Sequence, residues 1–276
     1  LIVAEQSDYP FLLDAYYVQD QKAKPLVIFA HGFKGFKDWG HWDLLARFFA
    51  HAGFVFIKFN FSHNGTTLDQ PTEFANLDAF GQNNYSKELA DLDAVLSWLR
   101  SQDQIPAKEI NWADTTLIGH SRGGGIGIIK AVEDERIHRL ITWAAVSSLS
   151  YAWTDEEKVK KWKKEGVQYQ LNGRTQQQMP LYYQLYEDFS QQEERLNIRK
   201  RLRDLDKPFL IVHGTDDPAV PFFAAHQLQE WSSRAQLQLI DGANHVFGGA
   251  HPYTATQLPE HSRLLAKYSL AFLQQD

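Results

Sequence analysis

The stretch that decides the fold runs T-T-L-I-G-H-S-R-G-G-G, from Thr115 to Gly125. Its first four residues have the apolar and β-branched character of a buried strand, and a helix-like stretch follows the glycines. Between them, Ser121 has a glycine two positions away on each side, at Gly119 and Gly123. A serine in a tight turn from a strand into a helix needs such glycines, because neighbouring backbone passes close to it. The pattern predicts a reactive serine at the end of a sheet strand, and a plain glycine-rich turn is the alternative.

Six other apolar runs of strand length occur along the chain. They are Phe11–Val18, Pro25–Ala30, Phe54–Phe59, Leu140–Ala145, Phe209–Val212 and Gln236–Ile240. Several are apolar throughout, as strands covered on both faces must be. Helical patterns separate them, most clearly at Tyr85–Arg100, where leucine and valine recur every three or four residues. This alternation predicts an α/β fold with a mainly parallel central sheet flanked by helices.

The segment 151–204 interrupts the alternation. It shows three successive helical patterns with no strand between them, so we expect a helical insertion. Its first helix is expected to begin with a capping box of Thr154 and Glu157 and to end at Gly166. Its second is expected to begin at Pro180. Residues 1–150 and 205–276 then form one catalytic body, in keeping with a length of 276 residues.

The composition disfavours several kinds of function. A total of 28 Lys and Arg against 34 Asp and Glu gives a net charge of −6, which repels nucleic-acid phosphates and anionic lipid surfaces. Cysteine is absent, so disulfides, thiolate metal sites and a thiol nucleophile are ruled out. The sequence contains no metal-binding motif, phosphate loop or dinucleotide fingerprint. We expect no cofactor, no metal, no nucleic-acid partner, no membrane span and a cytoplasmic location, with a removed N-terminal signal and the oligomeric state left open.

A serine nucleophile needs an imidazole to accept its proton, and the imidazole needs a carboxylate to hold it in place. In a strand–serine–helix arrangement of this type the expected chain order is serine, acid, histidine. Four histidines follow at a suitable distance: His226, His245, His251 and His261. His226 and His261 fall in predicted helices, whereas His245 stands in a turn-rich loop after a strand. We therefore predict His245 as the base, with His251 as the second choice.

The acid is expected on the loop after the preceding strand, in the sequence H-G-T-D-D-P at residues 213–218. Asp216 and Asp217 both stand there, and spacing alone does not separate them. Two backbone N–H groups must also stabilise the oxyanion that forms when the serine attacks a carbonyl carbon. One is expected from Arg122, directly after the serine. The other is expected from Phe33 in the glycine loop H-G-F-K-G, for which a plain turn is the alternative.

Together these motifs resemble the α/β-hydrolase superfamily. They are H-G-F at 31–33, G-H-S-R-G at 119–123, H-G-T-D-D-P-A-V-P at 213–221 and G-A-N-H-V-F at 242–247. Their order and spacing cover nearly the whole chain. The sequence is most similar to bacterial serine hydrolases related to dienelactone hydrolases, cinnamoyl or feruloyl esterases and serine aminopeptidase-like esterases.

The resemblance has several implications for the site. The family's acid falls on Asp217 rather than Asp216, its base on His245, and its oxyanion amides on Phe33 and Arg122. In the family an insertion after the sixth strand forms a helical lid over the acyl-binding side of the pocket. Candidate lid contacts are then aromatic: Trp153, Trp162, Tyr182, Tyr183 and Tyr186. Simple packing of the lid on the body is the alternative for each of them.

Two departures from the family narrow the chemistry. Dienelactone hydrolases proper use a cysteine nucleophile, and this chain has no cysteine. Dehalogenase and epoxide hydrolase relatives carry an aspartate where Ser121 stands. The residues therefore favour a serine hydrolase that cleaves a small-molecule carboxylic ester through an acyl-serine intermediate. A peptidase or aminoacyl-ester hydrolase and a non-catalytic binding module of the same fold are the alternatives.

Overall fold

The computed structural model describes residues 1–5, 7–150, 153 and 155–275. These residues form ten strands: β1 (Ile2–Val3), β2 (Phe11–Tyr16), β3 (Lys24–Ala30), β4 (Val55–Phe59), β5 (Ile110–His120), β6 (Arg139–Trp143), β7 (Val167–Leu171), β8 (Gln178–Tyr182), β9 (Phe209–Gly214) and β10 (Ala235–Ile240). Eight of them join in one sheet of order β1–β2–β4–β3–β5–β6–β9–β10. The pairs β1–β2 and β2–β4 are antiparallel, and every other neighbouring pair in this sheet is parallel. The predicted α/β fold with a mainly parallel central sheet is confirmed.

Ten α-helices accompany the strands within the described residues: α1 (Trp42–His51), α2 (Leu77–Gly81), α3 (Tyr85–Ser101), α4 (Arg122–Glu133), α5 (Glu156–Glu165), α6 (Gln184–Gln191), α7 (Glu193–Leu196), α8 (Ile198–Arg203), α9 (Phe223–Trp231) and α10 (Glu260–Leu273). Helices α1 and α10 pack on one face of the sheet, and α3, α4, α8 and α9 contribute to the core on the other. The strands between the two layers must therefore be apolar on both sides. Among the described helices, none combines the length and apolar character that crossing a membrane requires.

Each of the seven apolar runs overlaps a strand of the sheet, although the ends differ. The clearest difference is in β5, which begins at Ile110, well before the predicted start at Thr115. The first part of β5 is only partly buried and carries polar residues, so it lacks the apolar signal that marks its second half. The short edge strand β1 has two residues and gave no signal of its own.

The prediction that the insertion contains no strand is wrong. Strands β7 and β8 form an antiparallel hairpin, and Pro180 lies within β8, opposite Tyr169. The helix expected at Pro180 begins only at Gln184. The sequence V-Q-Y-Q-L of β7 alternates apolar and polar residues, which is the period of a half-buried strand rather than of a helix. The insertion is therefore a mixed unit of helices and a hairpin, and it follows β6, the sixth strand of the chain.

The first helix of the insertion ends as predicted but is capped by a different residue. Gly166 adopts the left-handed conformation, with φ 74°, and terminates α5. At the other end, the Asp155 carboxylate accepts hydrogen bonds from the N–H groups of Glu157 and Lys158. Thr154, the expected capping residue, lies outside the described residues, as does Tyr151 at the start of the predicted insertion. Asp155 thus supplies the cap that stabilises the start of α5.

Candidate active site

Ser121 lies in the sharp turn between β5 and α4. Its backbone has φ 56° and ψ −122°, a strained conformation for a residue with a side chain. The two flanking glycines make this turn possible, because a Cβ atom on Gly119 would lie 2.3 Å from the carbonyl oxygen of Gly123. A Cβ atom on Gly123 would lie 2.4 Å from the carbonyl oxygen of His31. The turn places Ser121 at the carboxyl end of β5 and at the positive end of the α4 dipole.

The loop after β3 passes directly beside this serine. A Cβ atom on Gly32 would lie 2.8 Å from the Cβ of Ser121. The Gly35 N–H donates to the carbonyl oxygen of Gly32 at 3.1 Å and closes a β-turn, with Phe33 and Lys34 as its central residues. The structure thus brings the first glycine loop against the serine turn, as the oxyanion prediction requires.

Asp217 and His245 meet at the carboxyl edge of the sheet, on the loops after β9 and β10. The Nδ1 atom of His245 lies 2.7 Å from Oδ2 of Asp217. The other carboxylate oxygen of Asp217 accepts hydrogen bonds from the N–H groups of Ala219 and Val220, each at 2.8 Å. Asp217 is buried, whereas Asp216 is exposed. Of the two neighbouring carboxylates, the structure therefore places Asp217 against the imidazole.

A second histidine, His213, also contacts this carboxylate. It is fully buried, its Nε2 donates to the carbonyl oxygen of Val220 at 2.9 Å, and the same atom lies 3.3 Å from Oδ2 of Asp217. Burial alone would raise the pKa of Asp217, but hydrogen bonds from His213 and His245 hold that pKa well below its usual value. An ionised Asp217 accepts the Nδ1–H of His245 and leaves the Nε2 of that ring as a proton acceptor.

His120 supports the loop that carries His245. Its Nε2 donates to the backbone carbonyl oxygen of His245 at 2.9 Å, and the two rings lie 4.8 Å apart. Burial and the neighbouring imidazole lower the pKa of His120 to about 3, so it stays neutral near pH 7. His251, the second choice for the base, has other partners. Its Nδ1 accepts a hydrogen bond from the Gly40 N–H at 2.9 Å, and its ring stacks on Trp39.

Ser121 and His245 border the same cavity, which has a volume of about 500 Å³. Most of its other walls are apolar and come from the loop after β6 and from the loop and helix after β9: Val146, Ala219, Val220, Pro221, Phe223 and Ala224. In the described part of the chain, no hydrogen bond joins the Ser121 hydroxyl to His245. Catalytic hydrogen bonds of this kind are often long without substrate and tighten in the complex. The cavity offers an apolar space for a substrate, with the hydroxyl and the imidazole at one side.

The residues expected to supply the oxyanion amides contact each other through their side chains. The guanidinium carbon of Arg122 lies 4.0 Å from the centre of the Phe33 ring, and Nη1 pairs with the Glu88 carboxylate at 3.2 Å. Asn83 donates to the same Glu88 oxygen at 2.7 Å. Arg122 and Glu88 are both buried. This packing ties the glycine loop to the start of α4, on either side of Ser121.

The aromatic residues of the insertion pack it onto the body. Trp162 is buried, and its indole N–H donates to the carbonyl oxygen of Leu181 at 2.7 Å. The Tyr182 ring covers Gly81, where a Cβ atom would lie 2.8 Å from it, and its hydroxyl donates to Asp78. Among the described residues, none from the insertion lines the 500 Å³ cavity. The arrangement agrees with the packing alternative rather than with substrate contacts at Ser121.

Three further aromatic residues of the insertion form a cluster with one another. The Trp153 ring lies 5.9 Å from the Tyr186 ring, and Tyr186 stacks on Tyr183 at 5.5 Å. Trp153 and Tyr186 also line a separate cavity of about 610 Å³, between the insertion and the body. Ser147 and Ser148 border both cavities. The described residues of the insertion thus lie near the cavity that contains Ser121 without lining it.

Sequence reasoning missed three contributors to the site. His120 and His213 stand inside the quoted motifs, but the letters alone do not show that one supports the His245 loop and the other the Asp217 carboxylate. The third is Lys34, which lines the cavity from the centre of the β-turn. A signal for it exists, because a lysine between glycines in G-F-K-G occupies a turn position that favours glycine.

Among the residues that the structure describes, no group of three or more His, Asp or Glu side chains is arranged to hold a metal ion. One ring nitrogen of each histidine near Asp217 makes a hydrogen bond within the protein, Nε2 in His213 and Nδ1 in His245.

Comparisons with known proteins show the family of this chain. A model of the alpha/beta hydrolase family matches residues 27–256. The chain belongs to the alpha/beta hydrolase family. A search of curated protein sequences gave no match.

Several solved structures share the fold. One is Est1E from Butyrivibrio proteoclasticus with bound ferulic acid, at 19% identity and a TM-score of 0.67 over 95% of this chain and 94% of that one. Another is a monoacylglycerol lipase from Paleococcus ferrophilus, at 15% identity and a TM-score of 0.66 over 95% and 98%. A third is alpha/beta hydrolase domain-containing protein 10 from mouse, at 17% identity and a TM-score of 0.67 over 98% and 96%. At these identities the likeness concerns the fold.

Proposed function

We propose that this member of the alpha/beta hydrolase family is a serine hydrolase that cleaves carboxylic esters through an acyl-serine intermediate. One observation carries the proposal: a strained serine at a strand–helix turn borders the same cavity as a histidine whose Nδ1 lies 2.7 Å from a buried carboxylate. This is the combination of nucleophile, base and orienting acid that acyl transfer requires. Membership of a family of hydrolases and the monoacylglycerol lipase among the similar structures support it.

The first half of the reaction acylates Ser121. His245 Nε2 takes the hydroxyl proton as Oγ forms a bond to the carbonyl carbon, and the carbonyl oxygen becomes an oxyanion. The N–H groups of Phe33 and Arg122 donate to that oxyanion. As the oxyanion collapses, the bond to the alcohol oxygen breaks and the alcohol leaves with the proton from His245. Asp217 holds the ring in place and stabilises its positive charge in between.

The second half releases the acid. Water enters, gives its proton to His245 and forms a bond to the acyl carbon, and a second oxyanion occupies the same two N–H groups. When it collapses, the bond to Ser121 breaks and the hydroxyl regains its proton. The apolar walls of the cavity suit the acyl group of an ester.

The test is hydrolysis of a panel of 4-nitrophenyl esters and aminoacyl anilides by the wild type and Ser121→Ala. We expect ester turnover in the wild type and a fall of at least about 10³-fold in the variant, the order of effect seen when a nucleophile of this type is lost. Ser101→Ala, at the exposed end of α3, serves as the matched control and keeps wild-type turnover. A fluorophosphonate reagent should label the wild type on the peptide that contains Ser121 and leave Ser121→Ala unlabelled.

The outcomes separate the alternatives. Equal turnover by wild type and Ser121→Ala contradicts the assignment of the nucleophile. Cleavage of anilides with little activity on esters favours a peptidase, and a folded wild type that neither turns over nor is labelled favours a binding module.

A further inference from the structure

Lys34 brings a positive charge to the wall of the cavity. It lines both the 500 Å³ cavity and a smaller adjoining one, each of which also contains Ser121 and His245. Its ammonium nitrogen lies 5.5 Å from the centre of the Phe33 ring and 3.5 Å from the carbonyl oxygen of Leu171. Among the described residues that line the larger cavity, Lys34 is the sole Lys or Arg, and none is Asp or Glu.

This charge has no acidic partner in the described part of the chain. Within the described residues, no carboxylate lies within 4.0 Å of the Lys34 nitrogen, although the protein carries 34 acidic residues and a net charge of −6. Burial and, next, the positive charge of Arg122 lower the pKa of Lys34 from its usual value. The carboxylate of Glu88 is already paired with Arg122. Among the described residues that line the cavity, Lys34 therefore supplies a positive charge that no lining carboxylate balances, and a bound anion would pair with it.

The backbone at Lys34 is strained. The residue has φ 55° at the third position of the turn that Gly32 and Gly35 close, where glycine is favoured. Glycines stand on both sides of the Phe33–Lys34 pair, so a glycine here would form the same turn without strain. Strained residues with side chains concentrate at functional sites, where the side chain has a task that offsets the strain. Lys34 lines the cavity that contains Ser121, so its side chain is available to a substrate bound there.

We propose that Lys34 gives the cavity a preference for esters that carry a negative charge, such as a monoester of a dicarboxylic acid. This inference rests on the proposed function, because it concerns the substrate of the same site. The carboxylate of such a substrate accepts a charge-assisted hydrogen bond from the ammonium group in a half-buried setting, where solvent screening is weaker than on an open surface. Its ester carbonyl then lies against Ser121.

The kinetic test compares matched substrates that differ in one charge. The first pair is the 4-nitrophenyl monoester of adipic acid and its neutral methyl ester, with the charge on the acyl side. The second is a butyrate ester of carboxynitrophenol and the corresponding ester without the carboxylate, with the charge on the leaving side. We expect Lys34→Met to lower the anionic-to-neutral ratio of kcat/KM roughly five- to tenfold in at least one pair. Lys34→Arg, which keeps the charge, should preserve the ratio.

A second lysine provides the control for net charge. Lys108→Met removes an exposed lysine near the start of β5, away from the carboxyl edge where Ser121 lies, and should leave both ratios unchanged. Added salt should lower the wild-type ratio and have little effect on Lys34→Met, because it screens the same interaction. If Lys34→Met leaves both ratios at the wild-type value, the proposal is overturned.

A binding measurement separates this proposal from the proposed function. Calorimetric titration of Ser121→Ala with monomethyl adipate and with neutral dimethyl adipate requires no turnover. We expect tighter binding of the anion, and loss of that preference in the Ser121→Ala, Lys34→Met double variant. If Ser121→Ala still hydrolyses esters, the nucleophile assignment fails while this titration continues to test Lys34. Equal affinities for the two ligands in Ser121→Ala overturn the role of Lys34.

Discussion

Asp216 and Asp217 are adjacent carboxylates with different environments, and the difference makes a test of the acid possible. Asp217 is buried and contacts His245, whereas Asp216 is exposed. In Asp217→Asn, a side-chain amide replaces the carboxylate opposite Nδ1 of His245. The amide no longer holds the ring proton on Nδ1, so Nε2 is not always free to accept the proton of Ser121. We expect kcat for ester hydrolysis to fall about 10⁴-fold, as in other triads that lose their acid to the amide.

The neighbouring substitution is the matched control for this experiment. Asp216→Asn removes the same charge one residue away and should change kcat less than about twofold, because exposed charges contribute little. Comparable losses in both variants would show that the loop, and not the contact with His245, matters. Circular dichroism measured on each protein shows whether it is folded. The rate of fluorophosphonate labelling then shows whether Ser121 of the folded protein is still reactive.

At the scale of single residues, the sequence predicted which candidate groups would meet better than it predicted the residues that support them. The motif letters and the family pattern pointed to Asp217 and His245, which the structure places 2.7 Å apart. They did not predict that His213 would contact the same carboxylate, because that depends on β9 ending beside the Asp217 loop. Nor did they predict the side-chain direction of Lys34, since the conformation of a turn follows from tertiary contacts as well as from local preference.

At the scale of elements, helix α4 contains two glycines, Gly123 and Gly127, that differ in the space around them. A Cβ atom on Gly123 would lie 2.4 Å from the carbonyl oxygen of His31, and 2.5 Å from that of Ala30. One on Gly127, in the same helix, would meet its nearest neighbour, a Leu117 methyl carbon, at 3.5 Å, which is an ordinary contact. Gly123→Ala must push α4 away from β3, whereas Gly127→Ala fills available space and improves helix propensity.

We expect Gly123→Ala to lower the free energy of unfolding by about 2 kcal/mol or more through overpacking. Gly127→Ala should leave it unchanged or raise it by up to about 1 kcal/mol. Urea titrations followed by tryptophan fluorescence measure both. The labelling rate of Ser121 should fall sharply in Gly123→Ala alone. If the two alanine variants are equally stable and equally reactive, close packing at the serine turn is not what requires Gly123.

The insertion shows where element prediction from this sequence fails. Strands of the main sheet have long apolar runs because both faces are covered, and all seven runs were recognised for that reason. The hairpin of β7 and β8 has one exposed face, and the large side chains of Tyr169 and Leu171 remain exposed on it. Its short alternating pattern is a weak strand signal, and the aromatic spacing after Pro180 favoured a helix instead. The arrangement of the hairpin on α2 depends on contacts between distant segments, which periodicity does not reveal.

At the scale of the whole molecule, buried histidines make stability depend on pH. Burial lowers the pKa to about 4 for His31, His41 and His63, and to about 3 for His120. In the unfolded chain a histidine has a pKa of about 6.5. Between those values the unfolded chain binds protons that the folded protein does not, so a fall in pH favours unfolding. Each such histidine contributes a slope of up to about 1.4 kcal/mol per pH unit in that window.

Two buried carboxyls act in the opposite direction but are outnumbered. Burial raises the pKa of Asp91 to about 7 and raises that of Glu88, so the folded protein holds their protons over part of the same window. Four histidines against two carboxyls leave a net loss of stability, and we expect urea titrations to show a free energy of unfolding lower by a few kcal/mol at about pH 5 than at about pH 7. His63→Gln removes one of the titrating groups and should flatten this dependence. A free energy that stays constant or rises toward acid would mean that these histidines keep access to protons in the folded state.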